Sequence, residues 1–469
     1  MTTRTQSRLI KKFSAVGDTQ FTFPKKAKIW TYVLMAIGLV GLIWAFATAS
    51  GGHEVAEAAA EGAEHGGHGH DAAHGHDGTR VWSNILINSF FFTAIALGAI
   101  FFYALQYAAE VAWSAQLKRV FEAMFQFLYP GLGLIVIVLL VGHVFHGHHI
   151  WHWMSESVDA LYLNASGGYT NDITERALDN PEYDAIIAAK MGYFAGWFYW
   201  LRTIVYIVVF VVFAQLFRKW SKKEDEIGGI NLHKKVYKRS ALFLVFFAVF
   251  SSTLSWDWLM SIDTHWFSTM YGWYVFSGMW VTCMIFATIL TLYLKKQDYL
   301  PNVNQSHIHD LGKWMFAISM LWSYLWFCQF MLIWYSNIPE EVQYFVTRIW
   351  TDTGDVSSFR FPFFLMFFVN FAVPFYVLVA RDAKRNSTLL IGAGMLIFIT
   401  HFIDVYLLVI PGVVGEKHFA DGGGFMWWEW AMFIGFIGFY VHVVLRSLTK
   451  ARLVPTNHPL MEESENHWI

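Results

Sequence analysis

The chain has 469 residues, of which 56% are hydrophobic and 19% aromatic, while only 14% are charged. A soluble domain carries roughly a quarter charged residues, so most of this surface is expected to face something other than water. The net charge of −2 gives no field that would favour nucleic acid, and no nucleic-acid partner is expected. Cys283 and Cys328 lie in separate apolar runs without C-x-x-C spacing, which argues against covalent haem, iron–sulfur clusters and disulfides.

Ten apolar runs follow one another along the chain. A bilayer core near 30 Å needs about 20 apolar helical residues. Runs of that kind lie at about 28–49, 82–107, 121–146, 192–217, 240–260, 268–294, 311–336, 361–380, 387–411 and 425–447. The first run follows a mostly polar segment and approaches 20 residues, so we interpret it as a retained span rather than a cleaved signal peptide. The sequence therefore predicts an all-α integral membrane protein with about ten transmembrane helices.

The basic residues alternate between the connections. The N-terminal tail and every second connection after it hold 26 of the 33 Lys and Arg residues. The positive-inside rule places these segments in the cytoplasm of a bacterial inner membrane, together with both termini. The predicted organisation is a cytoplasmic tail at 1–27, a ten-span membrane domain at 28–447 and a second cytoplasmic tail at 448–469. The membrane domain has two long outer loops, at 51–79 and 147–191.

The first outer loop, 51–79, is rich in His, Gly, Ala and Glu. Its Gly-His-Gly-His pattern is compatible with a borderline metal ion, with His68, His70, His74 and His76 as weak candidate ligands, but a solvated loop is the preferred interpretation. A solvated loop between two spans explains the same composition. Outside this loop we expect no metal site.

Three ionisable candidates lie well inside the predicted spans, where charge is costly and each is a functional candidate. Arg202 is predicted near the middle of the fourth span, either as an internal ion pair or as a charge that tunes a proton carrier. His401 and Asp404 are three residues apart, which places both on one helix face. Such a pair can pass a proton, bond a quinol hydroxyl or simply hold a helix bundle together. His401 is the only clearly deep histidine, so a bis-histidine haem is not expected.

Four further candidates lie near the predicted outer ends of the spans. His143 begins a histidine-rich stretch at the end of the third span, after a Pro130-Gly131 pair that predicts a kink or broken turn. Asp257 and Asp263 lie in the short stretch that connects the fifth and sixth spans, and Glu429 lies near the start of the tenth span. These residues favour a proton exit or a docking surface, although helix-end contacts explain them equally well.

Four long motifs resemble a known family: SWDWLMS at 255–261, WFSTMYGW at 266–273, IWYSNIPEE at 333–341 and HPLMEES at 458–464. They are similar to the second polysulfide-reductase-like (NrfD-like) membrane subunit of bacterial alternative complex III. The resemblance covers nearly the whole chain from about residue 20, except the His-rich loop. It implies two four-helix bundles, spans two to five and six to nine, with spans one and ten flanking them.

The resemblance also implies a function, that of a subunit of a respiratory quinol:cytochrome c or other electron-acceptor oxidoreductase. Haem c and iron–sulfur clusters are then expected in partner subunits and no cofactor in this chain. The implied partners are a paralogous NrfD-like subunit, other subunits of the complex, membrane lipids and an associated terminal oxidase. In this family one paralogue is thought to hold the quinol site, and the other offers only a proton route.

Three rival functions stay open at this point: quinol binding within this chain, a stand-alone secondary transporter and a b-type cytochrome. In the leading hypothesis, Asp404, His401 and Arg202 form an inner proton relay, with Asp257, Asp263 and His143 towards the outside. The first rival binds quinol within this chain. The second is a stand-alone secondary transporter, since transporters also show broken helices and charges at the membrane midplane.

Overall fold

A computed structural model describes residues 20–60, 76–155, 157–164, 168–351, 354–414 and 425–468. Within these ranges, ten helices are long and apolar enough to cross a membrane. The predicted all-α membrane fold is therefore confirmed, and each predicted span corresponds to one of these helices. The third is assembled from several shorter helical segments.

The α-helices are, in chain order, α1 Lys25–Ala60, α2 His76–Ala108, α3 Lys118–Met124, α4 Leu128–His143, α5 Ala185–Phe194, α6 Gly196–Ile227, α7 Ile230–Trp258, α8 Met270–Lys296, α9 Gln305–Ser336, α10 Pro339–Ile349, α11 Arg360–Leu378, α12 Ser387–Val414, α13 Trp427–Leu448 and α14 Met461–Glu465. Short 3₁₀ turns occupy Trp113–Leu117, Phe125–Phe127, His152–Met154, Ile173–Glu175, Met260–Ile262 and Ala383–Arg385. An antiparallel sheet of order β2-β1-β3 is formed by β1 Tyr162–Leu163, β2 Tyr169–Thr170 and β3 Leu178–Asp179.

Helices α6 and α7 extend well beyond the apolar runs that predicted them. The sequence analysis placed residues 218–239 in a connection, whereas they form the two arms of a helical hairpin joined at Gly228 and Gly229. Hydropathy marks only the apolar part of a helix, and Lys and Glu continue a helix into water at little cost. The two glycines have φ values of +67° and +94°, which allow the sharp reversal between the arms.

The third span is broken where the sequence predicted a kink. A 3₁₀ turn at Phe125–Phe127 separates α3 from α4, immediately before Pro130. A proline ring clashes with the carbonyl group four residues earlier, which here belongs to Gln126. The interruption of the α-helix therefore has a local cause, and it agrees with the predicted kink or broken turn in its second form, a broken turn.

The spanning helices pack as two four-helix groups. Helices α2, α4, α6 and α7 form the first group, and α8, α9, α11 and α12 form the second. Helix α2 is almost completely buried because it packs on α4 and α7 in its own group and on α8 and α12 in the other. Helices α1 and α13 flank this arrangement as a closely packed pair.

The α1–α13 pair depends on glycine. A Cβ atom added to Gly435 would lie only 2.5 Å from the Cα atom of Gly38, so the two backbones approach as closely as they can. Small residues permit such close helix packing inside a bilayer, where van der Waals contact replaces the hydrophobic effect as the driving force. The opposite side of α1 is apolar and exposed, as expected for a helix that faces lipid.

We refer to the side at which α1 begins and α13 ends as the terminal face, and to the opposite side as the distal face. The distal face carries the amphipathic helix α10 and the segment that contains β1–β3 and α5. This segment folds over the distal face, since Lys190 Nζ donates to the Thr264 carbonyl oxygen and His265 Nε2 lies 2.5 Å from Asp184 Oδ2. The second predicted outer loop is thus an ordered cover.

Candidate functional site

Asp404 lies in the distal half of α12, surrounded by the second helix group. The residue is only 4% exposed, and the Tyr274 hydroxyl of α8 donates a hydrogen bond to its Oδ1 atom. Nδ1 of His401, one turn earlier, lies 3.9 Å from Oδ2, which is too long for a hydrogen bond. The predicted shared face of His401 and Asp404 is confirmed, but the direct partner of Asp404 is a tyrosine.

His401 is buried without the partners that usually accompany a buried imidazole. Its ring packs edge-to-face against Trp322 at a centroid distance of 4.9 Å. Neither of its ring nitrogens has a hydrogen-bond partner among the described residues. Buried polar atoms nearly always have a partner, often an ordered water, so this ring is well placed to bind water or a proton.

Two small cavities meet at Asp404. The first lies between α2, α8 and α12 and is lined by Phe90, Gly278, His401 and Asp404 among others. The second lies towards the distal face and is lined by Asp404, Tyr274, Gln329 and Arg348 among others.

In each of these cavities, the volume that the centre of a water molecule can occupy is about 20 Å³. One water molecule needs roughly 10–15 Å³ by this measure. Pockets for drug-sized ligands measure about 300–1,000 Å³. The surroundings of Asp404 therefore suit single water molecules and not a quinol ring.

Arg348 connects the second cavity to the distal face. This arginine of α10 is 1% exposed, and it donates to the carbonyl oxygens of Tyr344 at 2.6 Å and Leu407 at 3.1 Å. Its Nη2 atom lies 3.2 Å from Oδ2 of Asp263, whose side chain is 24% exposed. The predicted candidate Asp263 is thus linked to the Asp404 region through Arg348, which the sequence analysis did not single out.

Arg202 and Asp257, both predicted candidates, form a separate ion pair. Nε and Nη2 of Arg202 each lie 2.9 Å from one carboxylate oxygen of Asp257, and the Tyr206 hydroxyl donates to the same carboxylate at 2.9 Å. The guanidinium also donates to the Tyr193 carbonyl oxygen and lies over the Tyr193 ring. Such a fully paired group fixes the packing of α6 on α7.

The depth of Arg202 differs from the prediction. Because α6 begins at Gly196, Arg202 lies in its second turn, near the distal face and not near the middle of the span. Its polar partners come from α5 and α7, so the structure places it with Asp257 rather than in a relay with Asp404 and His401.

Glu429 and His143 also lie apart from Asp404. Glu429, at the start of α13, is 3.0 Å from Nε of Arg80 and accepts hydrogen bonds from the Tyr406 hydroxyl and the Met426 amide. It thereby ties α13 to α2 and α12. His143 ends α4, half-buried between the rings of Trp153 and Trp200.

A second cluster, near the terminal face, was missed by the sequence analysis. Lys118 Nζ lies 2.6 Å from Oε2 of Glu224, which also accepts a hydrogen bond from the Tyr107 hydroxyl at 3.0 Å. The rings of His233 and His458 lie beside this pair, with centroids 5.2 Å apart. Burial, then the Lys118 ammonium group, lowers the pKa of His458 to about 3, so this imidazole is neutral at ordinary pH.

These residues are far apart in the sequence and come from four segments. Lys118 belongs to the 108–120 connection, Glu224 and His233 to the two arms of the α6–α7 hairpin, and His458 to the C-terminal tail. Their spacing carries no recognisable pattern. The HPLMEES motif at 458–464 was the one available signal, and it was used only for the resemblance.

The His-rich metal candidates are not placed by the structure. His68, His70 and His74 lie outside the described residues, and His76 begins α2 with a side chain that is not described.

No protein-family model matches the chain, and no curated protein matches it.

Proposed function

We propose that this chain is a membrane subunit of a respiratory quinol:electron-acceptor oxidoreductase of the alternative complex III type, which provides a scaffold and a proton path. The observation that carries the proton path is Asp404, a carboxyl group buried between helices that lines two water-sized cavities. An ionisable group inside a membrane bundle is costly and is usually retained for ion or proton movement. The four motifs of the sequence analysis support the type of complex.

The proposed path runs from the first cavity beside His401, through Asp404, into the second cavity. From there it follows Arg348 to Asp263, which reaches the distal face. Each step needs a water molecule or a side-chain rotation, because His401 Nδ1 and Asp404 Oδ2 are 3.9 Å apart. Tyr274 would hold Asp404 in position between the two cavities.

In this proposal the chain holds no redox cofactor. Haem c and iron–sulfur clusters belong to partner subunits, among them a paralogous NrfD-like subunit, and a terminal oxidase associates with the complex. The terminal face is cytoplasmic and the membrane is the bacterial inner membrane. The support is the segregation of 26 of the 33 basic residues to the N-terminal tail and every second connection after it.

The test is Asp404→Asn in the whole complex, reconstituted in liposomes. We expect the complex to assemble and proton-coupled turnover to fall by about 10²-fold, the lower end of what a positioned acid–base group contributes. Glu429→Gln is the matched control, since this carboxylate is equally buried but paired with Arg80 and outside the path. An intact complex with unchanged protons per electron in Asp404→Asn would refute the path.

Quinol binding within this chain is a second candidate, favoured by one cavity on the distal face. The volume that the centre of a water molecule can occupy in this cavity is about 240 Å³. The cavity is lined by Lys190, Tyr193, Trp256 and Trp266 among others. Photolabelling of the complex with an azidoquinone would separate the two functions. Label on these residues supports quinol binding here, whereas label confined to another subunit excludes it.

Co-purification distinguishes these two functions, the proton path and quinol binding within a respiratory complex, from a stand-alone secondary transporter. A subunit of a respiratory complex should bring haem-bearing partners with it from mildly solubilised membranes. A transporter should purify alone.

A further inference from the structure

Three potential metal ligands converge near the terminal face. They are Glu224 of α6, His233 of α7 and His458 of the C-terminal tail, and all three are buried. One ligand atom from each residue lies within 4.8 Å of the other two. A carboxylate with two imidazoles is a ligand set that binds zinc in proteins, with a further position left for water or another ligand.

The closest pair already has the spacing of a coordination edge. Oε1 of Glu224 lies 3.4 Å from Nδ1 of His233. Two ligands at about 2.0–2.1 Å from a tetrahedral zinc ion lie about 3.3–3.4 Å apart. The remaining ligand atom needs to move by on the order of 1 Å, which a side-chain rotation provides.

Both atoms of this pair are buried, and neither makes a hydrogen bond of normal geometry. Among the described residues, neither Glu224 Oε1 nor His233 Nδ1 makes a hydrogen bond, although each is shielded from water. The two atoms face each other across 3.4 Å, longer than a normal hydrogen bond, so each is only partly compensated for the water it has lost. A bound cation would satisfy both atoms at once.

We propose that Glu224, His233 and His458 bind a divalent transition-metal ion, with zinc the ion that this ligand set favours. The metal would join the α6–α7 hairpin to the C-terminal tail, so its binding would hold the tail on the terminal face. The cluster is separate from Asp404 and from the proposed proton path.

The neighbours of Glu224 support ligation through one oxygen. Its Oε2 atom is held by Lys118 and Tyr107, which leaves Oε1 for the metal. Partners of this kind orient a ligating carboxylate. The Lys118 charge opposes the ion, and the Leu460 amide donates to His458 Nδ1 at 3.2 Å, a long bond that ligation through this nitrogen would replace.

The experiment measures metal binding to the full-length purified chain after treatment with a chelator. Because the His-rich loop can itself bind metal, the background for all variants carries alanine at His53, His65, His68, His70, His74 and His76. Zinc content is measured after dialysis, and affinity by competition with a chromophoric chelator. Co²⁺ is added separately, because its visible d–d absorption reports a tetrahedral site directly.

We expect about one zinc ion per chain and a tetrahedral Co²⁺ spectrum in this background. His233→Ala and Glu224→Gln should abolish both, whereas His149→Ala, at an exposed histidine on the distal face, should change neither. Lys118→Met should raise the affinity, because it removes a cation beside the ion. Zinc content and affinity that are the same in Glu224→Gln and in the background would overturn the proposal, as would a background without bound zinc.

Loss of folding is tested separately. Glu224→Gln keeps the shape of the side chain, so it decides the matter if His233→Ala does not fold. Zinc should also raise the melting temperature of the background and leave that of Glu224→Gln unchanged. An equal effect of zinc on both proteins would contradict a site at these residues.

Discussion

Removal of Arg202 is expected to destabilise the protein more than neutralisation of its partner, Asp257. Asp257 has a side chain with 0% exposure, whereas the Arg202 side chain retains 12%. Arg202→Met takes two hydrogen bonds from a buried carboxylate and leaves it with the Tyr206 hydroxyl as a donor. Asp257→Asn removes the negative charge but leaves an oxygen that accepts from Tyr206. Arg202 then keeps the Tyr193 carbonyl oxygen, the Tyr193 ring and some water as partners.

The expected magnitudes follow from this asymmetry. Loss of one partner from a buried ion pair costs about 3–5 kcal/mol. The remaining Tyr206 bond and the partial exposure of the pair place Arg202→Met near the lower end, at about 3 kcal/mol. Asp257→Asn should cost about 1–2 kcal/mol, the range for a weakened hydrogen bond. In the double variant the carboxylate is no longer charged, so about 2 kcal/mol of the Arg202→Met loss should be recovered.

The free energy of unfolding is measured by equilibrium SDS titration of the purified chain in detergent micelles. The four proteins form a double-mutant cycle, which isolates the coupling between the two side chains. A double variant as unstable as Arg202→Met would show that the uncompensated charge is not the source of the loss. An Asp257→Asn loss larger than that of Arg202→Met would contradict the argument from burial.

Two further predictions concern packing and pH. Gly435→Val should lower the free energy of unfolding by about 1–3 kcal/mol in the same assay, because its Cβ would lie 2.5 Å from Gly38 Cα. Gly392 has open space around it, so Gly392→Val should change the free energy of unfolding by no more than about 0.5 kcal/mol. Burial lowers the pKa of His148 from 6.5 to about 4. As the pH falls, the unfolded chain therefore takes up a proton at this residue before the folded chain does. The free energy of unfolding should fall by about 3 kcal/mol between pH 6.5 and pH 4. His148→Gln should flatten this pH dependence of stability, and His149→Gln should not. If the two variants show the same dependence of stability on pH, the assignment to His148 is wrong.

The architecture could be predicted because a bilayer imposes length and polarity on each helix separately. Each of the ten predicted runs matches a helix, and the break before Pro130 was recognisable from two adjacent residues. The ends of α6 and α7 were not predictable from hydropathy, since Lys and Glu continue a helix beyond the apolar core. The amphipathic helix α10 was also missed, because it lies on the distal face and does not cross the membrane.

The sequence by itself determined the helices, their alternating charge and the shared face of His401 and Asp404, since these depend on neighbours a few residues apart. Only the tertiary structure decided which charges meet. It paired Arg202 with Asp257, across the α6–α7 hairpin, and brought Arg348 to Asp263. It also gathered Glu224, His233 and His458 from two helix arms and the tail. The physical reason is that a hydrogen bond or an ion pair depends on distances of about 3 Å between side chains, and helix packing sets those distances independently of sequence spacing.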